Sequence, residues 1–75
     1  HVLVRVYPNP TISYFVMDAG NEIIGNIYAL MDAKGQIIKT GLVSEKSIIQ
    51  METFPPGVYF LRINGVNQTF KMIKQ

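Results

Sequence analysis

The 75-residue chain has no cysteine and no tryptophan, and its one histidine is the first residue. Without cysteine, a disulfide framework, a thiolate metal site and a cysteine nucleophile are all excluded. With histidine confined to the terminus, the usual general base is missing as well. Acids are scarce: Asp18, Glu22, Asp32, Glu45 and Glu52. They fall in turns or at strand ends, where no pair is held in a protected pocket. Asp18 and Asp32 read as turn formers. Asp18, Asn21 and Glu22 lie near one another, but their spacing is not that of a Ca²⁺ loop. There is no phosphate-binding glycine loop. The chain reads as non-enzymatic and without cofactor or metal.

Long apolar runs are also missing. None reaches the roughly 18 residues of a membrane helix, so membrane insertion is not expected, and residues 1–75 read as containing no signal peptide, since His1 opens directly on a strand-like run. The chain is therefore expected to be one domain, residues 1–75, cut from the C-terminal end of a longer protein. Net charge is only +2, with the seven basic residues spread out. The aromatics alternate with apolar residues rather than basic ones. Both features argue against nucleic acid as a partner.

What the chain does have is β patterning, and its organising stretch is Phe54-Pro55-Pro56-Gly57-Val58-Tyr59-Phe60-Leu61-Arg62-Ile63. The two prolines withhold backbone donors, so no strand passes through them. Gly57 then serves the turn. Beyond it, Val58, Phe60 and Arg62 share one face and Tyr59, Leu61 and Ile63 the other. A strand apolar on nearly both faces is expected to be central. Six further strands are expected: Val2–Tyr7, Ile12–Met17, Ile23–Met31, Gln36–Thr40, Lys46–Glu52 and Gln68–Lys74. Turn signals separate them at Pro8-Asn9-Pro10, Asp18-Ala19-Gly20-Asn21, Asp32-Ala33-Lys34-Gly35, Gly41 and Asn64-Gly65-Val66-Asn67. In the third strand, Ile23, Ile27, Ala29 and Met31 are assigned inward; in the fifth, Ile49 and Met51. Seven short strands at roughly ten-residue spacing predict an all-β, seven-stranded antiparallel β-sandwich.

Three motifs give the chain a family likeness. Val6-Tyr7-Pro8-Asn9-Pro10 ends the first strand. Met31-Asp32-Ala33-Lys34-Gly35-Gln36-Ile37-Ile38 forms a central hairpin. Phe54-Pro55-Pro56-Gly57-Val58-Tyr59 leads to a last strand ending Phe70-Lys71-Met72-Ile73-Lys74-Gln75. In this order the chain resembles the C-terminal sorting domain of the type IX (Por) secretion system of Bacteroidetes. Met31, Ala33 and Phe54 depart from the commoner residues of that pattern but stay apolar. The resemblance implies an immunoglobulin-like sandwich that marks a cargo protein for passage from the periplasm across the outer membrane to the cell surface or the medium. It also implies partners: the translocon and its shuttle proteins, a sortase-like cysteine peptidase that removes the domain, and an anionic lipopolysaccharide to which the cargo is then attached.

The candidate recognition residues are Pro8, Asn9, Pro10, Gly57, Tyr59, Lys71, Ile73 and Lys74. Each has a plainer reading. Pro8-Asn9-Pro10 is either a rigid connection or a preorganised loop for a receptor. Gly57 and Tyr59 suit a turn and a core position with the hydroxyl at the rim. Lys71 and Lys74 either blunt an exposed edge or flank a docking edge whose unpaired backbone groups add to a receptor sheet. Such an edge also allows a weak homodimer. The rival function is an immunoglobulin-like adhesion or carbohydrate-binding module, with Tyr14, Phe15 and Tyr28 as its aromatic platform. A structural linker domain is a third reading.

Overall fold

The computed structural model describes residues 4–75. Two antiparallel sheets face each other. β1 (Val4–Tyr7), β2 (Tyr14–Ala19) and β5 (Lys46–Gln50) form one, in the order β1-β2-β5. The other has the order β4-β3-β6-β7, from β3 (Ile27–Met31), β4 (Ile37–Leu42), β6 (Gly57–Ile63) and β7 (Thr69–Lys74). This is the expected seven-stranded sandwich. β4 sits beside β3, whereas in constant-type immunoglobulin domains the fourth strand joins the first, second and fifth. Val2 and Leu3, assigned to the first strand from sequence, lie outside the described residues.

β6 is central, flanked by β3 and β7. Its parity is as read from sequence: Tyr59, Leu61 and Ile63 are buried, and Arg62 is exposed. Facing them from the other sheet are Phe15 and Met17 of β2, Ile49 of β5 and, just beyond β5, Met51, all fully buried. The central hairpin also closes as expected. The Asp32 Oδ1 accepts from the Lys34 and Gln36 N–H groups, both at 2.9 Å, and Gly35 takes a φ of 86°.

Three local expectations are corrected. First, Asp18 and Ala19 lie in β2 rather than in a turn. Asp18 stands opposite Arg5 on one neighbour and Lys46 on the other. Its carboxylate accepts from the Tyr7 hydroxyl at 2.9 Å, and the Lys46 ammonium is 4.0 Å away. These cross-strand partners outweigh the residue's turn preference. The turn falls later, in a short 3₁₀ segment, Asn21–Ile23.

Second, the inward face of β3 is Tyr28 and Leu30, while Ile27 is 54% exposed. Ile23 is buried, but it sits in the 3₁₀ segment, and the bend at Gly25 separates its parity from that of the strand.

Third, Gly41 does not end the fourth strand but lies inside it, directly opposite Tyr28. A Cβ on Gly41 would stand 2.6–2.7 Å from the Tyr28 ring and hydroxyl. The glycine thus makes room for an aromatic ring lying across its neighbouring strand.

Two outcomes follow from that pairing. Gly41→Ala forces the packed Tyr28 ring to move, and the expected cost is about 2 kcal/mol, read as a fall in Tm of roughly 8–16 °C. An unchanged Tm would show that the ring moves freely. Burial also raises the Tyr28 phenol above its usual value. The folded chain therefore keeps this proton where the unfolded chain has lost it. The stabilisation is complete below about pH 10 and is lost as pH rises through the folded value. Urea melts should show a steeper alkaline loss for the wild type than for Tyr28→Phe.

Candidate recognition surface around the terminal strand

β7 is the outermost strand of its sheet, paired with β6 on one side. Its register with β6 alternates, so the backbone groups of Thr69, Lys71, Ile73 and Gln75 point away from β6. An uncovered row of this kind is a template for another strand.

The segment after β1 covers most of it. The Asn9 side-chain amide donates to the Lys71 C=O at 2.8 Å, and its Oδ1 accepts from the Ile73 N–H at 3.0 Å. One carboxamide thus imitates a strand residue, donor and acceptor together. Two residues on, the Thr11 N–H donates to the Ile73 C=O, and the Gln75 N–H donates to the Thr11 C=O, both at 2.8 Å. Thr11 forms a parallel bridge with Lys74 and is itself buried, with its hydroxyl donating to the Tyr14 C=O.

The local sequence explains why this segment behaves as a clamp. Pro8 and Pro10 flank Asn9, fix φ on either side and bring no N–H of their own. The loop therefore has few alternative conformations to lose when Asn9 is placed. Both prolines remain exposed.

The expectation of an unpaired docking edge on β7 is corrected here. From the Lys71 C=O to the Gln75 N–H the outward groups are the Lys71 C=O, the Ile73 N–H and C=O, and the Gln75 N–H, and all four are bonded within the domain; the outward Lys71 N–H, one step nearer Thr69, is not taken up by Asn9 or Thr11. The open part of this edge is the Thr69 end.

Tyr59 and Lys74 hold the turn that feeds β6. Pro55 and Pro56 have no N–H, so the carbonyls of the turn draw their donors from side chains. The buried Tyr59 hydroxyl donates to the Pro55 C=O, four residues upstream. Its ring lies 6.0 Å from that of Phe54. The Lys74 ammonium donates to the Phe54 C=O at 2.7 Å. A tyrosine at the start of the sixth strand bonded back to the preceding corner is a device of immunoglobulin-type sandwiches. Gly57 pairs with Lys74 across the two strands, at a φ of 156° that side-chain-bearing residues rarely adopt.

All eight candidate residues therefore gather on β7 or against it, although they come from both ends of the sequence. They divide by role. Asn9, Tyr59 and Lys74 are engaged in internal bonds. Pro8, Pro10, Lys71 and Ile73 are exposed, and Gly57 opens β6 opposite Lys74. Sequence reading missed Thr11, whose backbone does half of the clamping. Its partners lie more than 60 residues away and leave no local signal.

The aromatic platform of the carbohydrate-binding reading does not exist on this surface. Phe15 is fully buried and Tyr28 is 7% exposed; of the three residues only Tyr14 is exposed. Among the described residues no cluster of three or more potential metal ligands occurs.

Asn9→Asp keeps the acceptor for the Ile73 N–H and replaces the donor to the Lys71 C=O with a carboxylate oxygen. The expected loss is about 1 kcal/mol at neutral pH, measured by urea unfolding. Lowering the pH to protonate the carboxylate should restore part of it. Equal stability across pH would mean that the Asn9–Lys71 bond contributes nothing.

Comparison with known proteins agrees with this arrangement. The family model described as the secretion system C-terminal sorting domain matches residues 5–75. Beta-agarase A of Zobellia galactanivorans is 35% identical over 71 residues, covering 93% of this chain. The chain spans only 13% of that relative's length. No solved structure matches. The family is one of sorting signals rather than catalysts. With seven strands in two sheets, the Pro-Asn-Pro clamp on the last strand and a family match over nearly its whole length, the chain belongs to the C-terminal sorting domains of the type IX secretion system.

Proposed function

We propose that the signal is the folded domain, carried as the C-terminal part of a longer exported protein, and that the type IX translocon and its shuttle proteins recognise it as a discontinuous surface around β7. The observation that carries this reading is the clamp. Asn9 and Thr11 are bonded to Lys71, Ile73 and Gln75, so residues from the two ends of the sequence form one surface. Pro8, Pro10, Lys71 and Ile73 supply its exposed side chains. Asn9, Gly57, Tyr59 and Lys74 fix their positions. A preformed surface of this kind needs little ordering on binding. Its exposed lysine favours on-rate and salt dependence over affinity.

In this reading the domain acts in the periplasm. After passage to the surface, a sortase-like cysteine peptidase removes it, and the cargo is joined to anionic lipopolysaccharide. The match to a small fraction of a much longer agarase supports a signal borne by a larger cargo.

The test is a secretion assay. Residues 1–75 are fused to a periplasm-targeted fluorescent protein in a host with the type IX system. The comparisons are a fusion lacking Lys71 to Gln75 and a translocon-deficient strain. Fluorescence at the surface or in the medium is expected only for the full domain with the translocon intact. Periplasmic retention of every fusion would overturn the sorting role for this chain.

A further inference from the structure

In an antiparallel sheet with one face in water, strands alternate apolar and polar residues. The two central strands of the four-stranded sheet do not. β3 reads Ile27-Tyr28-Ala29-Leu30-Met31, apolar throughout, and β6 is polar only at Arg62. Tyr28, Leu30, Tyr59 and Leu61 fill the core. The alternate residues are left on the outer face of the sheet.

The register places Ile27 beside Leu42, Met31 between Ile37 and Phe60, and Phe60 beside Lys71. Ile27, Ile37, Leu42 and Ile73 are 54%, 63%, 66% and 40% exposed. A shallow groove of about 380 Å³ runs over this face between Ile27, Met31, Ile37 and Arg62. Ala29 joins these apolar residues across a row that carries Thr40 and Arg62; exposed apolar side chains grouped in this way, with polar residues among them, mark an interaction site.

Charge narrows the occupant. Arg62 and Lys71 are exposed on this face, and the five acids of the chain are elsewhere. Asp18 is in β2 and Glu22 in the 3₁₀ segment. Glu45 and Glu52 flank β5. Asp32 is tied into its hairpin by two backbone donors. A second copy of the domain would bring cations to this face and no carboxylate. A lipid surface calls for a cluster of four to eight basic residues, and here there are two. A protein with an apolar patch edged by carboxylates complements both features.

We infer that the outer face of the β4-β3-β6-β7 sheet is the docking face for such an acid-edged apolar protein surface of the export machinery. This rests on the sorting reading above and names the surface it uses. The broad side of a domain measuring 32 × 21 × 17 Å offers no more than about the 800 Å² per partner of a standard interface. That suits a contact made and released during transport.

The test compares secretion of the fluorescent fusion carrying Arg62→Glu with Lys71→Glu, or Ile37→Ser with Leu42→Ser, with that of the wild type. A control pair, Tyr14→Ser with Ile48→Ser, alters the outer face of the other sheet. Melting of each purified domain checks folding. The expected result is a loss of roughly tenfold for both docking-face pairs at unchanged Tm, with the control pair secreted normally. A photo-crosslinking residue at Leu42 should trap a protein in the wild-type fusion. The adduct should vanish in the translocon-deficient strain and with the charge-reversed pair.

Normal secretion of both docking-face pairs, with the wild type also secreted, would overturn this inference and leave the sorting reading standing. A retained wild-type fusion would remove both. Self-crosslinking of the purified domain, or its co-sedimentation with phosphatidylglycerol vesicles, would assign the face to a second copy or to a membrane instead.

Discussion

The terminal strand of this domain is kept in place by a side chain that stands in for a backbone. Asn9 offers β7 a donor and an acceptor, Thr11 extends the pairing by two more bonds, and the flanking prolines hold both in position. Most else at this edge depends on that clamp. With β7 held from outside, Met72 stays buried against the core, and Lys74 reaches the Phe54 carbonyl. That contact and the Tyr59 hydroxyl together close the proline turn that starts β6. A free edge would also invite pairing with other chains. The clamp removes most of that hazard while leaving the strand's outer-face side chains, Lys71 and Ile73, in view.

The two sheets contribute differently. The β1-β2-β5 sheet has a mixed outer face, with Arg5, Tyr7, Asp18 and Lys46 grouped around one carboxylate. Such exposed ion pairs add little stability, but they satisfy that face in water. The outer face of the β4-β3-β6-β7 sheet carries Thr40, Arg62, Thr69 and Lys71, but none of its strands holds an acid. A chain this small has little apolar surface to spare. Leaving Ile37 and Leu42 exposed is a cost to solubility that the proposed docking role would account for.

Much of the fold was legible in the sequence because period-two patterning and turn chemistry act locally. The centrality and parity of β6 followed from its own residues, and so did the Asp32–Gly35 hairpin and the inward pair Ile49 and Met51. The failures have more than one cause. Asp18 is in a strand because Arg5, Tyr7 and Lys46 meet it from other strands. Gly41 is in a strand because Tyr28 lies over it. β3 turned its other face inward because Gly25 broke the register before the strand began. For Asp18 and Gly41 a partner on another strand decided the outcome; for β3 it was the local backbone turn at Gly25. The candidate site divides along the same line. Its residues were legible as motifs, and they do come together. That Asn9 pairs with a strand more than 60 residues away, so that the edge is covered rather than offered, was not visible in any local pattern.

The most direct measurement is amide hydrogen exchange along β7, resolved by residue. The four outward-pointing amides belong to Thr69, Lys71, Ile73 and Gln75. If the clamp holds the terminal strand, Ile73 and Gln75 exchange slowly, while Thr69 and Lys71, whose N–H groups are not taken up by Asn9 or Thr11, exchange fast. Uniformly fast exchange at all four would contradict the clamp, and with it the view that the sorting signal is a surface built from both ends of the chain.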